Sequence, residues 1–152
     1  MALDRTDRRI LAALQESGRM SNVELAALVG LSESPCFRRV RNLERRGVIR
    51  GYAAAVDPRA LELKVTAFVL VTLEKQSEAR TGALYDRIRG EPHIVECHAM
   101  SGRHDLILKV VARDIDHFSE LVMRGILRYP GVLHVESSFS MSEIKDSPVL
   151  PA

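Results

Sequence analysis

The pattern of apolar and polar positions separates a first third of helical period from a remainder in which strand-like and helix-like stretches alternate. Near the start, Ile10, Leu11 and Leu14 recur at helical spacing, and Asp4 suits the N-cap position in front of them. Gly18 is an ordinary stop signal after the last of these residues. We therefore predict a first helix that is capped by Asp4 and runs to about residue 17.

The second helix is predicted from a capping box. Ser21 suits the N-cap and Glu24 the third helical position, where each side chain bonds the backbone amide of the other residue. Gly30 ends this helical pattern. The predicted buried side of the helix consists of Leu25, Ala26, Leu28 and Val29.

The third helix is predicted between Gly30 and Gly47 and has two chemically different sides. Ser34 suits its N-cap and Pro35 its first helical position, while Gly47 suits the C′ position that ends a helix. At about 100° per residue, one stripe is apolar and the opposite side is basic. The stripe consists of Cys36, Val40 and Leu43, and the basic side of Arg38, Arg41 and Arg45, flanked by Pro35, Asn42 and Arg46.

The basic side of this helix favours contact with a polyanion. A charged face that only keeps a helix in solution usually mixes both signs, but Glu44 is the single acid in the helix body and projects near the apolar stripe. Arginine is suited to forked contacts with phosphates and guanine edges. We expect this helix to bind nucleic acid, and an ordinary solvated face is the alternative.

Three short helices with a glycine-containing turn before a basic third helix are typical of a helix-turn-helix unit. Residues 48–56 have an extended pattern interrupted by Gly51, which suits a small hairpin or wing, and Arg50 would reach a phosphate from there. Asp57-Pro58 marks a boundary, and residues 59–63 follow as a linker.

Beyond the linker the predicted order of elements is β-α-β-β-α-β, the ferredoxin-like arrangement. The strands are expected at residues 64–74, 93–100, 105–112 and 132–141, with one helix around 78–89 and another that is capped by Asp114 and ends before Pro130. Both faces of the first strand are apolar, with Val69 and Val71 on one and Phe68 and Leu70 on the other. Because a small antiparallel sheet normally leaves one face wet, we expect helices on one side and a partner subunit on the other.

Composition narrows the class of protein. The chain is 46% hydrophobic and 28% charged, which allows a packed core, and the absence of a long apolar run or an N-terminal apolar core predicts a cytoplasmic protein without a membrane span. Residues 1–56 carry ten arginines and six acids, whereas residues 57–152 carry twelve basic and fourteen acidic residues. This asymmetry suggests one module for a polyanion and one for something else.

The sequence contains no pattern that asks for catalysis or a metal. None of the five histidines has metal-ligand spacing, no phosphate-binding or nucleophile motif is present, and the two cysteines form neither a CxxC pair nor a disulfide framework. We therefore predict no catalytic residue, no metal and no cofactor. Cys36 lies on the apolar stripe, where a buried thiol is expected.

The predicted turn between the second and third strands carries polar residues. Ser101, His104 and Asp105 are more often turn formers than a catalytic triad. The amide of Gly102 and the carboxylate of Asp105 would also suit the carboxylate and ammonium of a small zwitterion. On spacing alone, a plain hairpin is favoured.

Several segments together resemble the leucine-responsive/asparagine-regulator (Lrp/AsnC) family of bacterial and archaeal transcription factors. They are residues 3–11, residues 21–26, residues 30–49 with Gly51-Tyr52, and Glu96-Cys97-His98 with Ser101-Gly102 and Asp105. Pro130-Gly131-Val132 is also typical, and the resemblance covers about residues 3 to 145.

The resemblance implies an α+β fold, with an N-terminal winged helix-turn-helix followed by a C-terminal ferredoxin-like βαββαβ domain. We expect a DNA-binding domain at 1–56, a linker at 57–63, an effector-binding and oligomerisation domain at 64–144 and a flexible tail at 145–152. The implied function is a sequence-specific regulator of transcription that binds double-stranded DNA. It would form a homodimer through its sheet, assemble further to an octamer, and bind an amino-acid-type effector between dimers.

Candidate site residues follow from the basic helix and from the resemblance. The expected DNA-binding residues are Ser34, Pro35, Arg38, Arg39, Arg41, Asn42, Arg45, Arg46 and Arg50, with Arg38 and Arg41 reading bases and Arg45, Arg46 and Arg50 at phosphates. The resemblance places the effector at Met100, Ser101, Gly102, His104 and Asp105. The loop carries Arg103-His104 where the family commonly has an acidic residue and then an aromatic one, which would favour an acidic or polar effector.

Two other functions remain open at this point. One is an enzyme on the same scaffold, similar to the haem-pathway decarboxylases, with His98 or His104 performing the chemistry. Such an enzyme has no need for an arginine face on its third helix. The other is an architectural protein that wraps DNA and binds no small ligand.

Overall fold

The computed structural model describes residues 2–74, 78–147 and 149–151, with the backbone alone at 78–79. The chain divides into two compact units, one comprising Met1–Ala55 with Ile144–Ala152 and the other Val56–Glu143. Each unit has its own hydrophobic core. Of the tail predicted at 145–152, Pro148 and Ala152 lie outside the described residues.

Three helices form the first unit: α1 (Arg5–Glu16), α2 (Asn22–Val29) and α3 (Glu33–Arg45). Asp4 caps α1 as predicted, since its Oδ1 accepts a hydrogen bond from the amide of Asp7 at 2.7 Å. The predicted capping box of α2 is confirmed. The amide of Glu24 donates to Ser21 Oγ at 3.2 Å, and the amide of Ser21 donates to Glu24 Oε2 at 2.8 Å.

The three helices enclose a small aliphatic core. Its buried members are Ile10, Ala13, Leu25, Ala26, Val29, Cys36 and Leu43. The prediction for Leu28 is wrong, because the buried side of α2 is centred on Leu25 and Val29, and Leu28 lies well to one side of it and is 56% exposed. The expected burial of the Cys36 thiol is confirmed, and burial raises its pKa.

The end of α3 was predicted correctly and its start was not. Gly47 adopts a φ of +69° after the helix, and the amide of Val48 closes the last turn by donating to the carbonyl of Leu43. Ser32 occupies the N-cap position predicted for Ser34, so Pro35 is the third helical residue instead of the first. Proline is tolerated there because the first amides of a helix have no partner inside it.

Two segments without regular structure complete the first unit. Residues 48–55 are all described and contain no paired strand, and the same holds for residue 56, so the hairpin predicted at 48–56 is not formed within this segment. Tyr52 from this segment donates its hydroxyl to Glu44 Oε1 of α3 at 3.2 Å. Near the C-terminus, Leu150 is bonded twice to Gln15 of α1, since its amide donates at 2.7 Å and its carbonyl accepts at 3.1 Å.

The second unit is a four-stranded antiparallel sheet with helices on one face, and its strand order is β2-β3-β1-β4. Its elements are β1 (Val65–Leu73), α4 (Glu78–Gly90), β2 (Ile94–Ala99), β3 (Leu106–Ala112), α5 (Ile115–Glu120) and β4 (Val132–Phe139). The predicted β-α-β-β-α-β order is therefore confirmed. A short 3₁₀ turn, Pro58–Leu61, lies in the expected linker, and α5 continues as one π turn and one 3₁₀ turn to Arg128.

The two faces of this sheet differ in burial. On the helix side, Val69, Val71 and Leu108 are completely or almost completely buried. On the other side, Phe68 is 39% exposed and its register partners are Lys109 on β3 and Ser138 on β4. The outer face therefore presents apolar side chains beside charged ones.

A register shift changes the outer strand. The pairing of β1 with β4 shifts between Thr72 and Leu73, which places Leu133 as an extra residue that is 68% exposed. Apolar residues thus do not alternate simply along β4.

None of the helices in the described ranges is long and apolar enough to cross a membrane.

Candidate functional sites

The predicted basic side of α3 is exposed to solvent. The exposed arginines are Arg38, Arg41 and Arg45 on the helix, with Arg46 and Arg50 just after it. Ser34 in the first turn is exposed as well, whereas Pro35 and Asn42 are partly buried. An exposed helix of this width fits the major groove of duplex DNA, and its guanidinium groups suit phosphates and guanine edges.

The exposed arginines differ in how they are held. Within the described ranges, Arg38, Arg45 and Arg50 form no ion pair. Arg41 pairs with Glu44 at 3.2 Å and its guanidinium lies 5.2 Å from the centre of the Phe37 ring. These side chains remain available to a negatively charged partner because exposed ion pairs of this kind are weak.

Arg39 is placed differently from its neighbours. Its Nη1 lies 2.7 Å from Asp4 Oδ2 and 2.8 Å from Asp7 Oδ1, both at the start of α1. Asp7 is the one charged residue that is buried in the part of the chain that the structure describes, with 8% of the whole residue exposed. The amide of Asp7 and the guanidinium of Arg39 lower the pKa of Asp4, and the two carboxylates raise the pKa of Arg39.

The second candidate site is the loop between β2 and β3. The amide of Met100 donates to the carbonyl of Asp105 at 2.8 Å and closes the hairpin. Gly102 at its tip has a φ of +146°, which favours glycine over residues with a Cβ. Met100, Ser101, Gly102 and Arg103 are exposed, so the tip of the loop is open to a ligand.

His104 and Asp105 are tied to the neighbouring strands. One carboxylate oxygen of Asp105, Oδ2, accepts the amide of Leu73 at 2.7 Å. His104 is 15% exposed; its Nδ1 lies 3.2 Å from Thr72 Oγ1 and its Nε2 lies 3.7 Å from Glu136 Oε2. The loop is therefore braced by β1 and β4 on one side and exposed at its tip.

Sequence reasoning missed the residues that hold both sites. Asp4 was predicted only as a helix cap, and no role at either site was predicted for Asp7, Thr72, Leu73 or Glu136. No local signal marks them, because each lies about thirty residues from its partner and meets it only through packing or strand register. Among the described residues, no group of three or more His, Cys, Asp or Glu side chains is arranged to hold a metal ion.

The three-helix unit with its arginine face, joined to an α+β unit with a braced loop, defines a DNA-binding regulator of the helix-turn-helix class. Residues 3–50 match the winged helix-turn-helix DNA-binding family, and residues 66–150 match the Lrp/AsnC ligand-binding domain. The chain belongs to the Lrp/AsnC family of transcriptional regulators. The resemblance and the expected fold class, a winged helix-turn-helix followed by a ferredoxin-like domain, are thereby confirmed.

Curated relatives and solved structures agree with this assignment. Leucine-responsive regulatory proteins of Klebsiella pneumoniae and of Escherichia coli K12 are each 41% identical to this chain over 145 residues, which is 95% of this chain and 88% of theirs. A transcriptional regulator of Neisseria meningitidis, solved in complex with L-Met, is 39% identical with a TM-score of 0.94, over 99% of this chain and 97% of that one. An AsnC-family regulator of Agrobacterium tumefaciens is 37% identical with a TM-score of 0.92, over 97% and 96% of the two chains.

These findings decide between the functions left open by the sequence. The relatives are transcriptional regulators, so the chain is a regulator and not an enzyme, and the catalytic roles considered for His98 and His104 are wrong. A ligand-binding domain that spans residues 66–150 also argues against a purely architectural protein.

Proposed function

We propose that the chain regulates transcription by reading specific duplex DNA with α3 while an amino-acid effector at the β2–β3 loop changes the state of its assembly. The observation that carries the DNA part is the exposed arginine side of α3, opposite a stripe that is buried in the core. A DNA-binding regulator acts in the compartment that contains the chromosome, and we therefore place this protein in the cytoplasm.

Different residues of the basic side take different roles in this proposal. Arg38 and Arg41 lie in the first part of the helix and read base edges, since the N-terminal part of a recognition helix enters the groove. Arg45, Arg46 and Arg50 contact phosphates, and Ser34, Pro35 and Asn42 lie at the edges of the contact. Arg39, which pairs with Asp4 and Asp7, is left out of the direct contacts.

The effector is an amino acid held at the tip of the loop. The amides of the exposed residues Ser101 and Gly102 suit its carboxylate, and the second carboxylate oxygen of Asp105 suits its ammonium while Oδ2 remains bonded to Leu73. The L-Met bound by the Neisseria meningitidis relative supports this class of ligand. Arg103, exposed in the same loop, favours an effector with an acidic or polar side chain.

The functional unit is an assembly of dimers. The outer face of the sheet, with Phe68 39% exposed, suits a second copy of the chain, and we expect the dimers to assemble further to an octamer. A dimer presents two α3 helices to half-sites about one helical turn of DNA apart, or a multiple of that distance.

Selection from a random-sequence duplex library tests the DNA part. The full-length protein should enrich one sequence family with paired half-sites. If it enriches no sequence over a scrambled duplex at moderate salt, the proposed recognition is wrong.

Thermal-shift screening of the standard amino acids, with sizing chromatography on each hit, tests the effector. If no amino acid shifts the melting temperature, the effector site is wrong while the DNA part still stands.

A further inference from the structure

One ion-pair network joins the start of α1 to the middle of α3. A single nitrogen, Arg39 Nη1, lies within 2.8 Å of oxygens from both Asp4 and Asp7. Asp4 uses its other oxygen, Oδ1, to cap α1 through the amide of Asp7 at 2.7 Å. The network therefore joins the N-cap of α1, a buried carboxylate and a guanidinium from α3.

Burial makes this network costly to break. The Asp7 side chain is only 12% exposed, so its charge has lost most of its water. A buried carboxylate needs a partner, and removal of that partner costs more than the pair itself contributes. Arg39 is thus held by α1 and its guanidinium is directed toward two acids. Both acids are bonded by Nη1, so this nitrogen has no donor left for a phosphate while the network is intact.

We propose that Arg39 is a positioning residue, and that Asp7 and Asp4 use it to set the rotation of α3 against α1 so that Arg38 and Arg41 face DNA. The inference rests on the proposed recognition of DNA by α3. It gives Asp4 and Asp7, the acids at the start of α1, a role in DNA binding. It also predicts that removal of either negative charge weakens the binding of DNA, which is itself a polyanion. Simple electrostatics predicts the opposite, since removal of an acid normally favours DNA binding.

The test compares four variants of the full-length protein: Asp7→Asn, Arg39→Gln, the double variant, and Arg45→Gln as a matched control from the same helix. The probes are the duplex enriched by the wild-type protein and a scrambled duplex of the same composition. We expect Asp7→Asn and Arg39→Gln each to bind the enriched duplex roughly tenfold more weakly and to discriminate less against the scrambled one. The double variant should lose no more affinity than either single variant, because each of these variants removes the same coupled interaction.

Salt dependence separates positioning from direct contact. The slope of log K against log salt should stay unchanged in Asp7→Asn and Arg39→Gln, whereas Arg45→Gln should reduce its magnitude by about 0.9. Asp4→Asn provides a second measurement if Asp7→Asn does not fold, since asparagine still caps the helix while the charge is lost. We expect about threefold weaker binding from it, again without a change of slope.

The contrary outcomes are distinct. If Arg39→Gln lowers the slope by about one and Asp7→Asn or Asp4→Asn binds as well as the wild type or better, Arg39 contacts phosphate and the inference is wrong. If the variants only melt at lower temperature and bind both duplexes as the wild type does while folded, the pair is merely structural and the inference is again wrong. Failure of the wild-type protein to enrich any duplex would instead contradict the proposed function.

Discussion

Neighbouring arginines on α3 have different surroundings, and this difference decides what each can do. Arg38 is exposed and has no ion pair within the described ranges, whereas Arg39 is held by two carboxylates of α1. Successive residues of a helix point about 100° apart, so a single step along the chain separates solvent from the neighbouring helix.

Replacement of Arg38 tests the reading role directly. Arg38→Ala should weaken binding to the enriched duplex by about 1–3 kcal/mol and relax the sequence preference, because an arginine that reads a base discriminates by about that amount. Arg50→Ala should weaken binding to all duplexes alike and reduce the salt slope by about one. Gel-shift titrations on specific and scrambled DNA measure both. Unchanged affinity and preference in Arg38→Ala would place the reading face elsewhere.

Asp105 offers a test of the effector loop. Asp105→Asn keeps an oxygen that accepts the amide of Leu73, so the loop should stay in place while the negative charge is lost. We expect the amino-acid-induced rise in melting temperature to disappear because an effector ammonium loses its counter-charge. The melting temperature without effector should change little. Retention of the full effector shift would show that Asp105 does not bind the ammonium.

At the scale of single elements, α2 depends on its capping box. Ser21→Ala removes the oxygen that accepts the amide of Glu24 and should cost about 1 kcal/mol of unfolding free energy. Chemical denaturation of the variant and the wild type measures this. Val23→Ala, an exposed change in the same helix, is the control and should cost much less. An equal loss in the two variants would mean that the cap is not the cause.

The same box predicts a dependence on pH. Hydrogen bonds from Ser21, side chain first and backbone second, hold the pKa of Glu24 below its usual value of 4.5. A depressed carboxyl pKa stabilises the fold above the unfolded-state pKa, and that contribution is lost as the pH falls through the folded-state pKa. The melting temperatures of the wild type and Glu24→Gln should differ at pH 7, and the difference should shrink as the pH falls below the usual glutamate pKa and through the lower folded-state pKa. A difference that is the same at both pH values would exclude this linkage.

At the scale of the whole molecule, the outer face of the sheet is the surface that we expect to carry assembly. Phe68 lies on this face, with Lys109 of β3 beside it on one side and Ser138 of β4 on the other. Phe68→Glu should shift the protein toward the monomer in sizing chromatography. In the dimer the new carboxylate would be buried between two sheets and would lose its water, whereas in the monomer it stays hydrated and can pair with Lys109. Met123→Glu, an exposed apolar position on the helical part of this unit, should leave the elution volume unchanged. An unchanged volume for Phe68→Glu would move the interface to another surface.

The sequence by itself determined the elements, their order and the chemistry of their sides. Caps such as Asp4 and the Ser21–Glu24 box depend on residues three positions apart, and the apolar period of a helix or strand depends on a few more. These features can therefore be predicted from residues that are close together in the sequence. The arginine side of α3 and the β-α-β-β-α-β order followed from such signals alone. The first turn of α3 was misread because a proline is acceptable at several positions there.

Only the tertiary structure decided which side chains are free and which are held. Arg39 meets acids that lie 35 and 32 residues before it, and Asp105 meets a backbone amide 32 residues away. The register shift that turns Leu133 outward is a property of two paired strands and of neither alone. These contacts depend on how distant segments pack, because helix faces and strand registers are chosen by the core as a whole and not by the residues on either side of a given position.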